Sequence, residues 1–138
     1  MLALRCKLMQ YAHLSCFSDE EFCKVQLFVA VAEDSGEYTG VAGLRREPPR
    51  DGRQVGEIIS VSVRPEFRKR GIGQSLLSHV ISVARDEGIE VLELLTLKDV
   101  LADAVRLYER NGFHVAREKL VPHYHLLYIE NVLSALPE

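Results

Sequence analysis

The sequence predicts a single α/β domain of the α+β type, in which helices flank a mixed, mostly antiparallel sheet. Two observations carry this prediction. The chain has 138 residues, of which 47% are hydrophobic, enough for one compact core. Its apolar runs follow the order hairpin, strand, helix, strand, helix and two strands, which matches neither an all-parallel sheet nor a plain sandwich.

The first predicted elements are a short helix and a β-hairpin. Ser18 stands three residues before Glu21, a capping-box spacing that predicts a helix beginning near Asp19. The β-branched and aromatic run VQLFVAVAE is separated from YTGVAGLRRE by the turn-prone DSGE. Residues 25–46 are therefore typical of two antiparallel strands.

A third strand and a long helix follow. The composition of PPRDGRQ predicts a loop, and VGEIISVSV after it predicts a strand that ends before Pro65. From Ile72 to Ala84 the apolar residues recur at helical spacing, and Gly88 is placed to end that helix.

The last part of the chain predicts a strand, a helix and two further strands. EVLELLTL suits a helix or a strand, but its position between two helical patterns favours a buried strand. DVLADAVRLYERNG has one apolar face, with Gly112 at the position that ends a helix. FHVAREKLV and HYHLLYIENVL predict the two strands around Pro122.

Composition excludes several classes of function. The formal net charge of -3 argues against a protein that coats nucleic acid, because the basic residues are balanced overall. The three cysteines lie near the N-terminus without metal-type spacing, which favours a reducing compartment. No apolar stretch approaches the roughly 18 residues of a membrane span. We therefore expect a cytoplasmic protein, with a nuclear location left open, that has no nucleic-acid, membrane or metal partner.

The stretch RPEFRKRGIGQSLL, residues 64–77, joins a strand to a helix and combines cations with two glycines. Backbone N–H groups and the positive end of a helix dipole meet at such a junction, and together they bind phosphate. Gly71 and Gly73 let a phosphate chain approach the backbone, and Gln74 and Ser75 add donors. A solvated basic loop is the alternative interpretation of these residues.

Two other nucleotide-binding motifs do not fit this stretch. The Rossmann fingerprint requires a third glycine and an acidic residue about 20 positions further on. The Walker loop requires Gly-Lys-Ser/Thr after four spacer residues, and that tripeptide is absent from the sequence.

VSVRPEFRKRGIGQSLL resembles motif A of the GCN5-related N-acetyltransferases. That motif begins with Arg or Gln, has Gly after any two residues, and has Gly or Ala after one further residue. Arg68, Gly71 and Gly73 fill this pattern. AVRLYERNGF, residues 104–113, resembles the motif B helix of the same family. The resemblance covers about residues 25–130, and it implies a sheet whose two central strands splay apart to admit acetyl-coenzyme A.

The resemblance also implies which residues bind the cofactor. The glycine-rich loop would hold the pyrophosphate, and the end of the preceding strand would pair with the pantetheine arm like an added strand. A backbone N–H near Val61 or Ser62 would meet the oxyanion that forms during acyl transfer. The predicted cofactor-binding residues are Val61, Ser62, Val63, Arg68, Lys69, Arg70, Gly71, Ile72, Gly73, Gln74 and Ser75.

Acetylation of an amine requires a base, because a primary amine with a pKa of about 10 is protonated at neutral pH. Glu57 lies eleven residues before Arg68, the separation that histone-type members of the family show for their general base. Apolar neighbours in its strand would raise the pKa of its carboxyl group. The alternative is a glutamate that faces solvent at a sheet edge, with His123 and His125 as reserve candidates for the base.

Tyr108 is similar to the family's tyrosine near the cofactor sulfur, whose hydroxyl would protonate or hydrogen-bond the departing thiolate. The alternative is a tyrosine packed by its ring. The asparagine that the family often has seven residues before this tyrosine is Leu101 here, so one cofactor contact is missing or is replaced by Lys98 or Asp99. About 24 residues precede Val25, so we expect an abbreviated N-terminal region.

The leading hypothesis is an enzyme that transfers the acetyl group of acetyl-coenzyme A directly to a primary amine of a protein, peptide or small molecule. It leaves the oligomeric state open, including a homodimer. The alternative is a non-catalytic acetyl-coenzyme A sensor of the same fold. A nucleic-acid or nuclear-import patch at RPEFRKR ranks third, because only Phe67 interleaves its cations as a stacking aromatic.

Overall fold

The computed structural model describes residues 6–11, 25–97, 102–121 and 124–133. The predicted helix near Asp19 lies outside these residues, as do Leu101, Lys98, Asp99 and His123, while His125 belongs to the last strand. The strands are β1 (Cys6–Tyr11), β2 (Val25–Ala32), β3 (Tyr38–Arg50), β4 (Arg53–Val63), β5 (Val91–Leu97), β6 (His114–Val121) and β7 (Tyr124–Val132). The helices are α1 (Ile72–Asp86) and α2 (Ala102–Arg110).

The seven strands form one sheet in the order β1-β2-β3-β4-β5-β7-β6. Strand β4 pairs with β5 in parallel, whereas β1 with β2, β2 with β3, β5 with β7 and β6 with β7 pair antiparallel. The predicted mixed, mostly antiparallel sheet with helices is therefore confirmed. The chain divides into two compact units, the first formed by Met1–Arg46 with Ile58–Ser82 and the second by Glu47–Glu57 with Val83–Glu138.

The core of the first unit lies between α1 and one face of the β2–β3 hairpin. Alternate residues of each strand face the same side, and the buried hydrophobic side chains of the two strands follow that alternation. Helix α1 contributes Leu76, Leu77 and Val80, and the edge of the His79 ring packs on Phe28 with 5.1 Å between centroids. The buried hydrophobic side chains of the strands are those of Phe28, Ala30, Ala32, Ala42 and Leu44.

Gly40 lets β3, β4 and α1 approach one another closely in the first unit. A Cβ atom at this position would lie 2.9 Å from the Ser62 carbonyl oxygen and 3.0 Å from Leu76 Cδ1. Separations that short are not tolerated by any side chain. The absence of a side chain at Gly40 thus permits the end of β4 to lie where α1 begins.

The second unit is built on β5 and β7. Leu92 and Leu94 of β5, with Leu127 and Ile129 of β7, are buried, as the alternation of strand residues requires. The ladder between β4 and β5 is short: it pairs Val55, Gly56 and Glu57 with Val91, Leu92 and Glu93. By contrast, the β5–β7 ladder runs from Val91↔Val132 to Leu97↔Leu126.

Both helices end in the glycine motif predicted from the sequence. The N–H of Gly88 is donated to the Arg85 carbonyl and that of Ile89 to the Ala84 carbonyl. The N–H groups of Gly112 and Phe113 are donated to the Glu109 and Tyr108 carbonyls in the same pattern. This is the Schellman arrangement, which needs a positive φ at the glycine, and φ is +80° at Gly88 and +93° at Gly112.

Two sequence predictions differ from the structure. PPRDGRQ is not a loop, since β3 extends to Arg50 and β4 begins at Arg53. Only Asp51 and Gly52 form the turn, with φ of 52° and 76°, as a two-residue hairpin of the mirror-image type requires. Strand β1, which pairs with β2, was not predicted, because its short apolar run is interrupted by polar residues.

No helix in the described ranges is long and apolar enough to cross a lipid bilayer.

Replacing Gly112 or Gly88 by Ala tests what the helix ends contribute to stability. Gly88→Ala should lower the free energy of unfolding by about 1 kcal/mol, because an L-residue resists a positive φ. Gly112→Ala should cost about 2 kcal/mol, since the new Cβ would also crowd Asn131, whose Nδ2 lies 3.1 Å from that position. Urea denaturation measures both losses, and equal losses would show that Asn131 does not constrain Gly112.

Candidate functional site

The first unit contains the strand-to-helix corner singled out in the sequence. Strand β4 ends at Val63, and Pro65–Phe67 form one turn of 3₁₀ helix. Two bonds hold the end of β4 to β3: the Arg64 N–H is donated to the Thr39 carbonyl at 2.8 Å, and the Arg64 guanidinium to the Tyr38 carbonyl at 2.9 Å. The position from which the loop departs is therefore set by the sheet.

The loop before α1 has an unusual backbone. Lys69 has φ of 62° and Gly71 has φ of 79°, a conformation that is uncommon for a lysine and routine for glycine. The space around Gly71 is open, with no atom within 4 Å of a Cβ at this position. Gly71 can adopt this positive φ without strain, and its lack of a side chain leaves room beside the backbone. Arg68 Nε donates a hydrogen bond to the Val63 carbonyl at 3.1 Å, which anchors the loop to the end of β4.

The start of α1 presents backbone donors. The Ser75 N–H is donated to the Gly71 carbonyl at 3.0 Å, which is the first i to i-4 bond of the helix. The N–H groups of Ile72, Gly73 and Gln74 precede that bond, at the positive end of the helix dipole. Ser75 is exposed and offers its hydroxyl, whereas the side chain of Ile72 is buried and anchors the helix start.

Cations surround these donors. The guanidinium carbons of Arg64 and Arg70 lie 5.4 and 5.8 Å from the centroid of Phe67, within the range of cation–π attraction. Arg64 also forms an ion pair with Glu66. The remaining positive charge of the loop is on the exposed side chains of Arg68, Lys69 and Arg70. Three backbone donors with several cations form a set that suits a diphosphate.

The predicted pantetheine-binding residues lie just before this corner. Val61 and Val63 are half-buried and Ser62 is exposed. Ser62 lines an apolar groove of about 400 Å³ within the first unit. The other lining residues of the groove are Leu27, Val29, Tyr38, Gly40, Val41 and Arg64.

The second unit contains Glu57, which lines a cavity of about 600 Å³. The cavity has acidic, basic, aromatic and aliphatic walls. Its other lining residues are Arg50, Glu93, Leu94, Leu95, Ala116, Arg117, Tyr128, Ile129 and Glu130. Glu57 is half-buried, so it does not simply face solvent at a sheet edge.

A row of polar side chains crosses four strands at the level of Glu57. Glu57 of β4 pairs with Glu93 of β5, Glu93 with Glu130 of β7, and Glu130 with His114 of β6. Residues directly opposite each other on neighbouring strands point to the same face. We call Glu57, Glu93, Glu130 and His114 the carboxylate row. It replaces the apolar surroundings that the sequence of β4 alone predicts for Glu57.

Two groups hold members of the row in place. Arg50 donates to both carboxylate oxygens of Glu93, to Oε2 at 3.2 Å and to Oε1 more closely. His114 Nε2 lies 3.4 Å from Glu130 Oε1. In the adjacent row, the Arg117 guanidinium stacks 4.4 Å from the centroid of Tyr128. Sequence reasoning missed these residues because they come from strands far apart in the chain.

Tyr108 lies on α2 and is 7% exposed. Its ring packs edge-on against Phe113, with 5.9 Å between centroids, which forms the apolar contact typical of a Schellman ending. Burial raises the pKa of its phenol above the ordinary value of 10.0, because the phenolate is the form that desolvation disfavours. Tyr108 is not one of the described residues that line the same cavity as Glu57.

Across the described ranges, no three His, Cys, Asp or Glu side chains are grouped so as to hold a metal ion.

Comparison with known proteins extends these observations. Part of the chain is similar to mycothiol acetyltransferase of Propionibacterium freudenreichii, with 37% identity over 65 residues, which are 47% of this chain and 20% of the relative. Part is also similar to N-alpha-acetyltransferase 60 of Xenopus tropicalis, with 39% identity over 77 residues, which are 52% of this chain and 30% of the relative. The chain thus spans about a fifth to a third of the length of these curated relatives.

Solved structures share the fold. The IAA acetyltransferase from Bacillus cereus matches with a TM-score of 0.71 and 18% identity over 94% of this chain and 100% of its own. The protein yncA from Salmonella typhimurium, solved with its cofactor acetyl-CoA, matches with a TM-score of 0.67 and 28% identity over 83% of this chain and 69% of its own.

The family model described as "Acetyltransferase (GNAT) family" matches residues 2–113. That range contains both stretches that resemble family motifs, namely the glycine-rich corner before α1 and the α2 helix with Tyr108. The chain therefore belongs to the GNAT family of acetyltransferases.

Proposed function

We propose that this protein is an N-acetyltransferase that moves the acetyl group of acetyl-coenzyme A directly to a primary amine. The observation that carries the proposal is the corner before α1, where backbone donors and cations suit a diphosphate in a chain of the GNAT family. The amine acceptor is a small molecule, a peptide or a protein. The names of the relatives, which include a mycothiol and an N-alpha acetyltransferase, support an acceptor of this range.

The first unit supplies the cofactor site in this proposal. The N–H groups of Ile72, Gly73 and Gln74 bind the diphosphate, and the side chains of Arg68, Lys69 and Arg70 neutralise its remaining charge. The edge of β4 at residues 61–63 pairs with the pantetheine amides. Bound in this way, acetyl-coenzyme A supplies an acetyl thioester.

Glu57 acts as the base. Its carboxylate, half-buried in the wall of the second unit's cavity, accepts the proton that the acceptor's ammonium must lose before the amine can attack. The carboxylate row beside it favours a positively charged group in that cavity, because the acidic side chains outnumber the basic ones there.

Tyr108 acts as the acid. Because burial raises its pKa, the phenol keeps its proton at neutral and mildly alkaline pH and can donate it to the departing thiolate. A non-catalytic acetyl-coenzyme A sensor is the second candidate function, and it is favoured by the packing of the buried Tyr108 ring against Phe113, which gives Tyr108 a structural role without catalysis.

The proposal predicts that Gly71→Glu abolishes cofactor binding. The new carboxylate would lie beside the phosphates, and a glutamate would resist the φ of 79°. Calorimetry should show acetyl-coenzyme A affinity reduced by at least about 100-fold, equivalent to about 2.7 kcal/mol. Gly36→Glu is the matched control, since Gly36 has φ of 74° and equally open surroundings but lies in the β2–β3 turn.

Turnover then separates the two candidate functions. Thiol release on a panel of small amines and N-terminal peptides should occur with the natural chain and with Gly36→Glu, and should be lost in Gly71→Glu. Tight cofactor binding with no thiol release on any amine would favour the sensor. Unaltered binding by Gly71→Glu would refute the assignment of the corner.

Glu57→Gln should lower kcat/KM by about 10² to 10³-fold while cofactor affinity stays the same, because general bases contribute in this range. The loss should be largest at neutral and acidic pH, where the acceptor amine is most fully protonated. Steady-state kinetics from pH 6 to 9 would measure it. Glu118→Gln, an exposed glutamate on β6, is the control, and equal kinetics of the two variants would remove Glu57 from the mechanism.

Tyr108→Phe should slow thiol release about tenfold, the effect of losing a proton donor to a fairly stable thiolate. Burial in the folded state raises the pKa of the Tyr108 phenol above 10.0. The protonated phenol therefore contributes to the stability of the fold at every pH below the pKa of the unfolded state. This contribution is lost as the pH rises through the pKa of the folded state. Ultraviolet titration should therefore show a late phenol ionisation that Tyr108→Phe removes. Natural rates of thiol release in the variant would leave Tyr108 with a packing role alone.

A further inference from the structure

Two arginines line the cavity of the second unit, and they differ in their contacts. Arg50 donates a hydrogen bond to each carboxylate oxygen of Glu93, so its charge is already compensated. Arg117 lines the same cavity from β6 and is exposed. Within residues 6–11, 25–97, 102–121 and 124–133, no carboxylate forms an ion pair with Arg117. The cavity wall therefore carries a cation that can accept an anionic partner from outside the chain.

Tyr128 holds this cation in place. The guanidinium carbon of Arg117 lies 4.4 Å from the centroid of the Tyr128 ring, and the two residues are register partners across β6 and β7. A guanidinium that stacks on a ring by its flat face keeps the N–H groups along its edge for hydrogen bonding. Those N–H groups form the fork that binds a carboxylate through two parallel hydrogen bonds.

Glu130 is the member of the carboxylate row that is closest to Arg117 along the sheet. It follows Tyr128 by two residues on β7 and also lines the cavity. Its Oε1 atom lies 3.4 Å from His114 Nε2, so its contact on β6 is with His114 and not with Arg117. The row thus leaves the fork of Arg117 open to a ligand.

The carboxylate row and Arg117 face the cavity from opposite sides. Arg117 pairs with Tyr128, and Tyr128 pairs with Leu95, which follows Glu93 by two residues on β5. The strand order places β5 and β7 between β4 and β6. Three spacings of about 4.8 Å separate the backbones of β4 and β6 by roughly 14 Å. Glu57 on β4 and Arg117 on β6 therefore mark the two ends of the cavity.

An apolar side chain lies between these ends. Leu95 lines the cavity and is 50% exposed. Covering such a side chain with a ligand is favourable, because apolar surface is removed from water. From β4 to β6, the cavity offers carboxylates, an apolar surface and then a cation. This order suits a ligand with a positive group at one end and a negative group at the other.

We propose that Arg117, held by Tyr128, binds a carboxylate group of the amine acceptor. The inference rests on the proposed function and narrows its acceptor to amines that also carry a carboxylate. The amine lies toward the carboxylate row and the acceptor's carboxylate toward β6. Arg117 does not touch the reacting nitrogen in this arrangement, so it determines specificity without taking part in the chemistry.

The width of the cavity favours a short peptide over a free amino acid. In a free amino acid the amine and the carboxylate are attached to the same carbon, which is too close for groups at the two ends of the cavity. An extended chain spans about 3.3 Å per residue, so about three residues bridge the cavity once the side chains at its two ends reach inward. The acceptor class is therefore a short peptide with a free C-terminal carboxylate.

Paired peptides test the carboxylate directly. Trialanine and trialanine amide carry the same amine and differ only in the charge of the C-terminus. In NMR titrations of the chain in the presence of coenzyme A, trialanine should bind about tenfold more tightly than its amide, the effect of a charge-assisted contact at an exposed site. Trialanine alone should shift the Arg117 Nε–H signal and the ring signals of Tyr128.

Substitutions at Arg117 and Tyr128 should act on the ratio of the two affinities. Arg117→Gln should weaken trialanine binding about tenfold and leave the amide unaffected, so that the ratio falls to about one. Arg117→Lys should keep part of the preference, because the charge stays but the fork is lost. Tyr128→Phe should retain the preference and Tyr128→Leu should reduce it, since only the former keeps a ring under Arg117. Amide spectra check that each variant is folded.

Lys119→Gln is the matched control. It removes an exposed cation two residues further along β6, which is not one of the described residues that line the cavity, and the ratio should not change. Equal losses in Lys119→Gln and Arg117→Gln would assign the preference to the general charge of the surface and would overturn the inference. Equal affinity of the natural chain for the two peptides, or no measurable binding of either, would overturn it as well.

Thiol release gives the second readout. The loss in Arg117→Gln should appear in the KM for trialanine with kcat unchanged, because the carboxylate contact is the same in the ground state and the transition state. Thiol release with equal kcat/KM for the two peptides would overturn the role of Arg117 and leave the proposed function standing. Binding that prefers trialanine, without thiol release on any amine, would support the carboxylate site and overturn the proposed function.

Discussion

The N-terminus of α1 is the feature on which the proposed chemistry depends. Three backbone N–H groups, those of Ile72, Gly73 and Gln74, precede the first hydrogen bond of the helix. Backbone donors at a helix start favour an anion, because the positive end of the helix dipole lies there. The buried side chain of Ile72 holds the helix start in the first unit, so the direction in which the donors point is part of the fold.

The close packing around this corner explains why small residues are needed nearby. Gly40 lies against the Ser62 carbonyl and Leu76, and the bonds of Arg64 to β3 fix the end of β4. Within the second unit, the carboxylate row provides a different kind of order. There the side chains of adjacent strands are brought together by register, Arg50 donates to Glu93, and His114 lies beside Glu130.

The sequence predicted most of the fold because its signals are local. Helical spacing from Ile72, the glycines that end both helices and the DSGE turn all act within a few residues, and each was confirmed. The Asp51–Gly52 turn was misread, because neighbouring prolines and arginines made a two-residue hairpin resemble a longer loop. Strand β1 was missed because six residues with mixed polarity carry a weak signal.

The candidate site was predictable only where it is continuous in the chain. The corner proposed to bind phosphate lies in one stretch, so the sequence alone could bring its glycines and cations together as a candidate site. The partners of Glu57 could not be, since register joins β4, β5, β7 and β6 across a large part of the chain. The role of Phe67 as a platform for Arg64 and Arg70 likewise depends on the folded loop.

The central claim is tested most directly by backbone amide NMR of the chain during titration with coenzyme A. Binding of a diphosphate at the start of α1 should produce the largest amide shifts at Ile72, Gly73 and Gln74, with smaller shifts along residues 61–63. Saturable binding whose largest shifts lie elsewhere, with these three amides unmoved, would contradict the account.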